Sequence, residues 1–543
     1  MATGEEGNPD AVTDRRIGLK ELTVKGIIVG IVLALLLGAA NMYVGMRVGL
    51  TVSASIPAAV LSLALLRGFK DRTIQENNIA QTIASSAEAL AAGVIFTIPA
   101  LLPAFLGIWP EVNILDTILI AMVGGLLGVL FAVPLRKALI VDKDLPYPEG
   151  VACAAVLRAG HGGGGARLLV AGALTGALFA FLQLGLNLFP TTAEAATRAG
   201  DALLFIGTDL SLILIGVGFL VGLRIASLIF FGGAFAWFIV LPLLSGLSGW
   251  NVLDVPSTAG LGAVDASFAI WDAKIRLIGA GAMFTGGLLA VWNLRDSLAL
   301  AAREGVKGYR GAGESKTGDM PFNIVLILLA LLLIPLGFLT TQALPEVWQG
   351  LTTVVVVLVA GFLLSAVAGY MAGVVGSSNN PVSGVTILAL AATAGLLKIF
   401  GVGGAPGILG ALFVAALIAT AAAISGDTMQ DLKTGHMVQA TPWKQQISQI
   451  LGVGLFALVA PFVLVLLDQA FTIGSQTLPA PQAGLMATFL DGFFGQGVDV
   501  LMLGGGALIG AAAALAGFAV LPVAVGVYLP LGLSAPIFVG GVL

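Results

Sequence analysis

The sequence predicts an all-α polytopic membrane protein with about 14–16 transmembrane helices, in two related halves carrying broken or re-entrant polar segments. Hydrophobic residues make up 58% of the 543 and charged residues 10%, where an ordinary soluble domain carries about 25% charged residues. Mean hydropathy is +1.04. Apolar runs long enough to cross a bilayer recur from residue 26 to the C-terminus, and one charged loop near the middle divides them.

A spanning helix needs about 20 apolar residues. Such runs lie near 26–46, 48–66, 84–106, 114–133, 167–188, 203–223, 225–247, 273–293, 321–341, 350–376, 382–399, 405–424, 447–470 and 500–528, with less regular ones near 484–500 and 530–543. With the N-terminus in the cytoplasm, 20 of the 25 Lys and Arg fall on the cytosolic side, as the positive-inside rule requires. No Lys or Arg follows Lys444, so that rule does not orient the last segments. Residues 1–25 are polar and lack the apolar core of a signal peptide, so they read as a cytosolic tail of a multi-pass protein of the cell inner (cytoplasmic) membrane.

Composition also excludes several classes. Cys153 is the single cysteine, which rules out an intramolecular disulfide and a Cys-rich metal cluster. A net charge of −4 without a basic tract offers nothing for nucleic acid to bind. The 74 glycines suit close helix packing in lipid. The tract HGGGGAR (161–167) lacks the Lys-Ser/Thr ending of a phosphate-binding loop and reads as a linker.

The charged loop sets the domain organisation: a tail at 1–25, a first transmembrane half at 26–293, a charged cytosolic linker at 294–320 and a second half at 321–543. GVGFLVGLRIASLIFFGG (216–233) echoes GVYLPLGLSAPIFVGG (526–541), with Gly218 against Gly526, Ile229 against Ile537 and Gly232-Gly233 against Gly540-Gly541. Tyr43 followed by TVSASIP (51–57) echoes Tyr370 followed by SSNNPVSG (377–384). An internal repeat follows, with segments gained or lost between the halves because the two echoes have different spacings; nine intervening helices would invert one half, but that count varies by one or two, so the handedness is left open.

Polar groups at membrane depth cost free energy unless they pair, bind something or line water. The polar clusters are therefore the candidate site. In residues 41–57 these are Asn41, Tyr43, Ser53 and Ser55, followed by Pro57, which breaks a helix when placed inside it. The counterpart in the second half supplies Tyr370, Asn379 and Asn380 before Pro381. A broken helix survives in lipid only under protein or around a water-filled cavity, where its ends suit polar or charged substrates. The same stretches would equally serve as ordinary loops at the membrane surface.

As a helix, ENNIAQTIASSAE (76–88) aligns Asn77, Asn78, Gln81, Ser85 and Glu88 through steps of three, four and seven. Such a face suits a ligand bearing amides and carboxylates, or it glues helices together at about 1 kcal/mol per bond. In SGDTMQDLKTGHMVQATPWKQQ (425–446), Asp427 and Asp431 are i, i+4 neighbours whose mutual repulsion favours proton uptake by one of them. His436 is of the residue type whose ordinary range suits proton exchange near neutral pH. Glu88, Asp427, Asp431 and His436 are thus the candidates for proton coupling, and a solvated amphipathic helix is the alternative. One histidine gives no support for a metal site. Glu149, opening the short helix of DLPYPEGVACAAVLRAGH (144–161), suits the helix dipole and is the candidate gate. Arg47, Lys274 and Arg276 are the basic candidates for a ligand carboxylate.

Five motifs in order, NMYVGMRVGLTVSASIPAAVLS (41–62), ENNIAQTIASSAE (76–88), LPYPEG (145–150), GSSNNPVSG (376–384) and SGDTMQDLKTGH (425–436), make the chain resemble the oligopeptide transporter family. The resemblance is to its prokaryotic members related to the yellow-stripe metal-chelate carriers, and it covers nearly the whole chain. It implies proton-coupled symport of small oligopeptides or metal–chelator, siderophore-like complexes, with protons and the lipid bilayer as the other partners and no cofactor. The extended peptide-clade signatures of eukaryotic oligopeptide carriers are missing, so the substrate stays open between peptide and chelate, and a homo-oligomer is compatible with the chain. The sequence ends at PIFVGGVL, where family members continue with a basic loop and another helix, so the resemblance predicts a truncated C-terminus. The rival reading is a passive channel, or a permease subunit relying on a separate ATPase, since the chain has no Walker motif of its own. No Ser/His pair or HExxH motif is found, and an enzyme is not expected.

Overall fold

In lipid, backbone N–H and C=O groups must be satisfied within the chain, and this sequence satisfies them almost entirely as helix. The computed structural model describes residues 21–543 apart from 52, 70, 143–144, 161–170, 173, 177, 180, 187, 248–254, 257, 259, 294–317, 378–379, 381 and 496–498. The tail up to residue 20 and nearly all of the charged linker therefore lie outside the described residues.

The helices that build the site are α1 (Val24–Val48), α2 (Ser55–Leu66), α3 (Ile74–Thr97), α4 (Ile114–Arg136) and α5 (Pro148–Ala159). A hairpin of β1 (Thr192–Ala199) and β2 (Ala202–Asp209) follows, then α6 (Leu212–Phe235) and α7 (Arg276–Asn293). The second half holds α8 (Phe322–Ala343), α9 (Val347–Val375), α10 (Val382–Ile399), α11 (Gly404–Val438), α12 (Pro442–Phe471) and α13 (Pro481–Phe494). It closes with α14 (Val500–Leu515), α15 (Val520–Tyr528) and α16 (Leu531–Val542). Among the described residues, nine helices are long and apolar enough to cross a membrane. The chain is thus an all-α polytopic membrane protein with one small hairpin.

Side-chain caps fix where the first long helices begin. Thr23 Oγ1 accepts from the Gly26 amide at 3.1 Å and Thr73 Oγ1 from the Glu76 amide at 3.0 Å, each satisfying a donor that the helix cannot. Helices α3 and α11 form the centre: α3 lies against α1, α2, α11 and α12, and α11 against α4, α9 and α10. At the rim, α8 exposes Ile327, Leu331, Ile334 and Phe338, a stripe at helical spacing that faces hydrocarbon.

Three expectations change. The run at 203–223 begins as strand, with Thr192 of β1 opposite Asp209 of β2 in antiparallel register, and helix follows from Leu212, broken at Gly222, whose φ is +80°, close to the expected boundary between the two runs. Residues 202–209 alternate between the covered and open faces of the hairpin, and a short apolar run of this kind cannot be told from helix by hydropathy alone. The run at 500–528 is two helices, α14 and α15, turned at Gly517, whose φ is +79°. Pro57 does not break a helix, because it sits in the first turn of α2, where a backbone N–H has no partner to lose.

The echoed segments pack against each other, α6 along α15 and α16. A Cβ at Gly218 would overlap the Ile537 carbonyl, and one at Gly526 would overlap the Ile229 carbonyl. Gly232 meets Val523 and Gly540 meets Ile215 in the same manner. A single offset, ~308 residues, carries each contact onto its counterpart, while the numbering runs in opposite directions along the two partners. The pair is therefore antiparallel with a local two-fold axis, and glycine at the four positions permits the close approach.

Candidate functional site

The site begins where α1 ends. Gly49 caps α1 in the left-handed region, with φ +78°, and the described residues Leu50, Thr51, Ser53 and Ala54 are not helical. Helix α2 has 12 residues and rises about 18 Å, roughly half of a bilayer. Its start is beside the middle of α3, with Ser55 Oγ 2.9 Å from Ser85 Oγ, and Ser62 further on donates to the Asn77 carbonyl at 3.3 Å. So α2 runs antiparallel to α3 and opens inside the protein. The orphan amide at its N-cap, Ala54 N–H, donates to Glu88 Oε2 at 3.2 Å. The discontinuity expected near TVSASIP is present, and it precedes the proline.

A second half-helix meets the same level from another side. Helix α5, also of 12 residues, offers its Gly150 amide to Gln430 Oε1 of α11 at 2.8 Å, and its Gly150 carbonyl accepts from Thr434 Oγ1 at 3.0 Å. Glu149 accepts from the Ser377 amide at 3.2 Å and from the Ser377 hydroxyl, so it closes on the turn after α9. Gly376 in that turn has φ +92°, and a Cβ there would meet the Glu149 carboxylate.

Between these elements is a cavity of about 30 Å³, whose polar lining is Thr51, Ser53, Glu88, Ser377, Asn380 and Asp427. That volume holds about two waters. Glu88 is buried on α3 and held by Asn41, whose Nδ2 donates to the Glu88 carbonyl at 3.2 Å and to its carboxylate. Asp427, buried on α11, lines the same cavity as Glu88 and Ser377. Two buried carboxyl groups facing one small space disfavour carrying two charges at once. One turn further along α11, Asp431 is fully buried, and its Oδ1 accepts from Gln81 Nε2 at 2.6 Å and from Ser55 Oγ at 3.4 Å. Its Oδ2 has no hydrogen-bond partner. Among the described residues, none of these three carboxyls forms an ion pair.

The remaining sequence candidates separate into groups. Asn78 and Gln81 bond each other at 3.1 Å, and Gln445 Nε2 of α12 donates to Asn78 Oδ1 at 2.9 Å, so they tie α3 to its neighbours beside the cavity. Asn77 turns back onto the Thr73 carbonyl at 2.8 Å. Tyr43 stands against Phe471 with ring centroids 5.4 Å apart, and Tyr370 packs with the apolar cluster around Val367 and Met371. His436 is exposed near the C-terminal end of α11, about 7.5 Å along the axis from Asp431. Asn379 lies outside the described residues. The basic candidates are held elsewhere: Arg47 by Asp209, Lys274 by Asp499 at 2.8 Å, and Arg276 by Asp272 and Tyr528. Thr51 and Ser377 line the cavity without having been singled out, although each stands inside a motif that drew attention to its neighbours. Among the described residues, no group of three or more His, Cys, Asp and Glu is placed to hold a metal ion.

Half-helices opening at membrane depth onto a buried polar cavity define a polytopic membrane transporter. Residues 21–543 match the profile of the OPT oligopeptide transporter protein family, and the chain belongs to that family. It is 35% identical over 537 residues to a Haemophilus influenzae protein named as an oligopeptide transporter, covering 89% of this chain and 82% of that one. It is 26% identical over 451 residues to the metal-nicotianamine transporter YSL3 of Arabidopsis thaliana, and 24% identical over 373 residues to the iron-phytosiderophore transporter yellow stripe 1 of Zea mays. These alignments cover 76% and 64% of this chain, and 64% and 53% of the two plant proteins.

Proposed function

We propose that the chain is a secondary active transporter that carries small oligopeptides or metal–chelator complexes across the cytoplasmic membrane by proton-coupled symport. The substrate classes come from the names of its relatives. The observation that carries the coupling is the pair of buried carboxyls, Glu88 and Asp427, lining one polar cavity, with the buried Asp431 one turn away. Groups that share or exchange a proton beside a substrate cavity can link the binding of one to the binding of the other.

The cavity is partly open in this conformation. Near it the start of α13 is seated on the end of α1, where the Ala480 amide donates to the Met46 carbonyl at 2.8 Å and Gln482 Nε2 to the Gly49 carbonyl at 3.1 Å, and α2 packs on α5, which packs on α11. Transport by alternating access requires such contacts to open in turn.

The cytosolic side is assigned from charge. Glu21 contacts Thr441 and Lys444, Lys25 contacts Glu76, and Arg136 pairs with Asp319. These groups share one end of the bundle, the end rich in Lys and Arg, so the positive-inside rule puts the N-terminus in the cytoplasm.

The test is uptake by proteoliposomes under an imposed inward proton gradient, with labelled dipeptides to pentapeptides and iron or nickel chelates offered in parallel. The expected result is uptake that follows the gradient and is lost in Asp427→Asn and Glu88→Gln. Uptake equal with and without the gradient, and unchanged in both variants, would replace the carrier by a passive pathway.

A further inference from the structure

The cavity has a one-sided chemistry. Its lining combines two carboxyl groups, three hydroxyls and one amide with Ala89, Ala92, Val382 and Ala423, and no lysine, arginine or histidine is among them. Glu149 adds a third carboxylate at the rim through Ser377. Arg47, Lys274 and Arg276, the cations best placed for a ligand carboxylate, are each engaged by an acidic partner of their own outside the cavity. A group entering this space from a ligand meets negative charge and hydrogen-bond acceptors.

Size narrows the choice. The cavity volume, about 30 Å³, accommodates a small head group, and its open side leaves the rest of a peptide or chelate outside. A bare divalent ion is disfavoured, because no three metal-binding side chains converge among the described residues. An ammonium fits: it has three N–H donors, enough to bond Glu88, Asp427 and one neighbouring hydroxyl together. Charge-assisted bonds of this kind are the strong ones in a site shielded from water.

We infer that the Glu88–Asp427 cavity is the amino-end subsite of the carrier and reads a free, charged amino group on its ligand. This rests on the carrier reading above. It makes the ligand class an amine-bearing one, a peptide with an unblocked N-terminus, and it disfavours complexes whose outer surface presents carboxylates, since like charge is repelled from a buried acidic wall. The carboxylate end of the ligand plays no part in this subsite.

The test compares four compounds on the wild-type protein in proteoliposomes: dialanine, N-acetyl-dialanine, dialanine amide and an iron–nicotianamine chelate, each competing with labelled dialanine. Thermal stabilisation by each compound is measured in parallel as a readout of binding that needs no transport. Acetylation is expected to weaken competition and stabilisation by about tenfold or more, because a site built for a donor rejects the analogue lacking it. Amidation is expected to change either by less than about threefold, since the carboxylate end is not read here. In Asp427→Asn, whose uptake is expected to be lost, the ratio of thermal stabilisation by the free and acetylated peptides should shrink. Equal competition by the acetylated peptide, loss of competition on amidation, or gradient-driven uptake of the chelate with none of dialanine would overturn the subsite while leaving the carrier in place. Stabilisation by dialanine alone, with no compound driven by the gradient, would uphold the subsite and overturn the carrier.

Discussion

Gly49 is the position where a single methyl group tests how α13 is seated on the end of α1. Its φ of +78° lies in the left-handed region, and a Cβ there would come 2.5 Å from Pro481 Cγ at the start of α13. Gly49→Ala therefore carries two costs: about 1–2 kcal/mol for holding alanine in that backbone region, and about 1–3 kcal/mol for pushing α13 off the end of α1. Together they predict a loss of about 3 kcal/mol in unfolding free energy. Titration of the purified protein with SDS in mixed micelles, followed by tryptophan fluorescence, reads this difference. Gly68→Ala is the control, because nothing lies within 4 Å of a Cβ there, and it should stay within about 0.5 kcal/mol of the parent. Pro481→Ala added to Gly49→Ala should recover the steric part and leave the backbone part, giving a coupling of about 1–2 kcal/mol between the two sites. A coupling of zero, or a Gly49→Ala loss no larger than that of Gly68→Ala, would refute the seating of α13 on the end of α1.

Three further outcomes follow from the packing. Gly218→Ala and Gly526→Ala should lose equal stability, about 1–3 kcal/mol each, while Gly216→Ala, with open space around its Cβ, loses none; unequal losses for the first two would break the two-fold relation. Gln81→Leu leaves Asp431 Oδ1 with Ser55 alone, its Oδ2 being unpartnered already, so the same titration should show a loss of about 1–3 kcal/mol, and a variant as stable as the parent would contradict the hydrogen-bond account. Cys153 is buried, so maleimide should modify it only after unfolding, and rapid labelling of the folded protein would show the α5 contact to be open.

Hydropathy alone located most of the long helices, because a span in lipid is defined by length and apolarity, which are local properties. The run at 382–399 is a helix with those ends, and the polar face at 76–88 lies on one helix as its spacing required. The errors have equally local causes. Residues 202–209 are apolar enough to pass for helix, and only pairing with β1 makes them strand. The depth of the 425–436 motif was ambiguous, since Asp427, Asp431 and Lys433 fit a solvated face as well as a core. What buries them is α11 continuing unbroken to Val438 between α3, α4, α5 and α9, and no residue in the motif records its neighbours. Likewise Asn77 and Asn78 are adjacent and chemically alike, yet one bonds its own helix and the other bonds α12 through Gln445. Which amide turns inward is set by packing rather than by residue type.

The glycine seam between α6 and the pair α15 and α16 has a consequence for directionality. A two-fold axis that exchanges antiparallel partners presents the same contacts to either leaflet, so this seam has no top or bottom and cannot tell import from export. Any difference between the two sides of the membrane must therefore come from parts that the ~308-residue offset does not map onto a like partner. That offset carries Glu88 onto Leu396 and Leu119 onto Asp427, so neither carboxyl has an acidic counterpart across the seam.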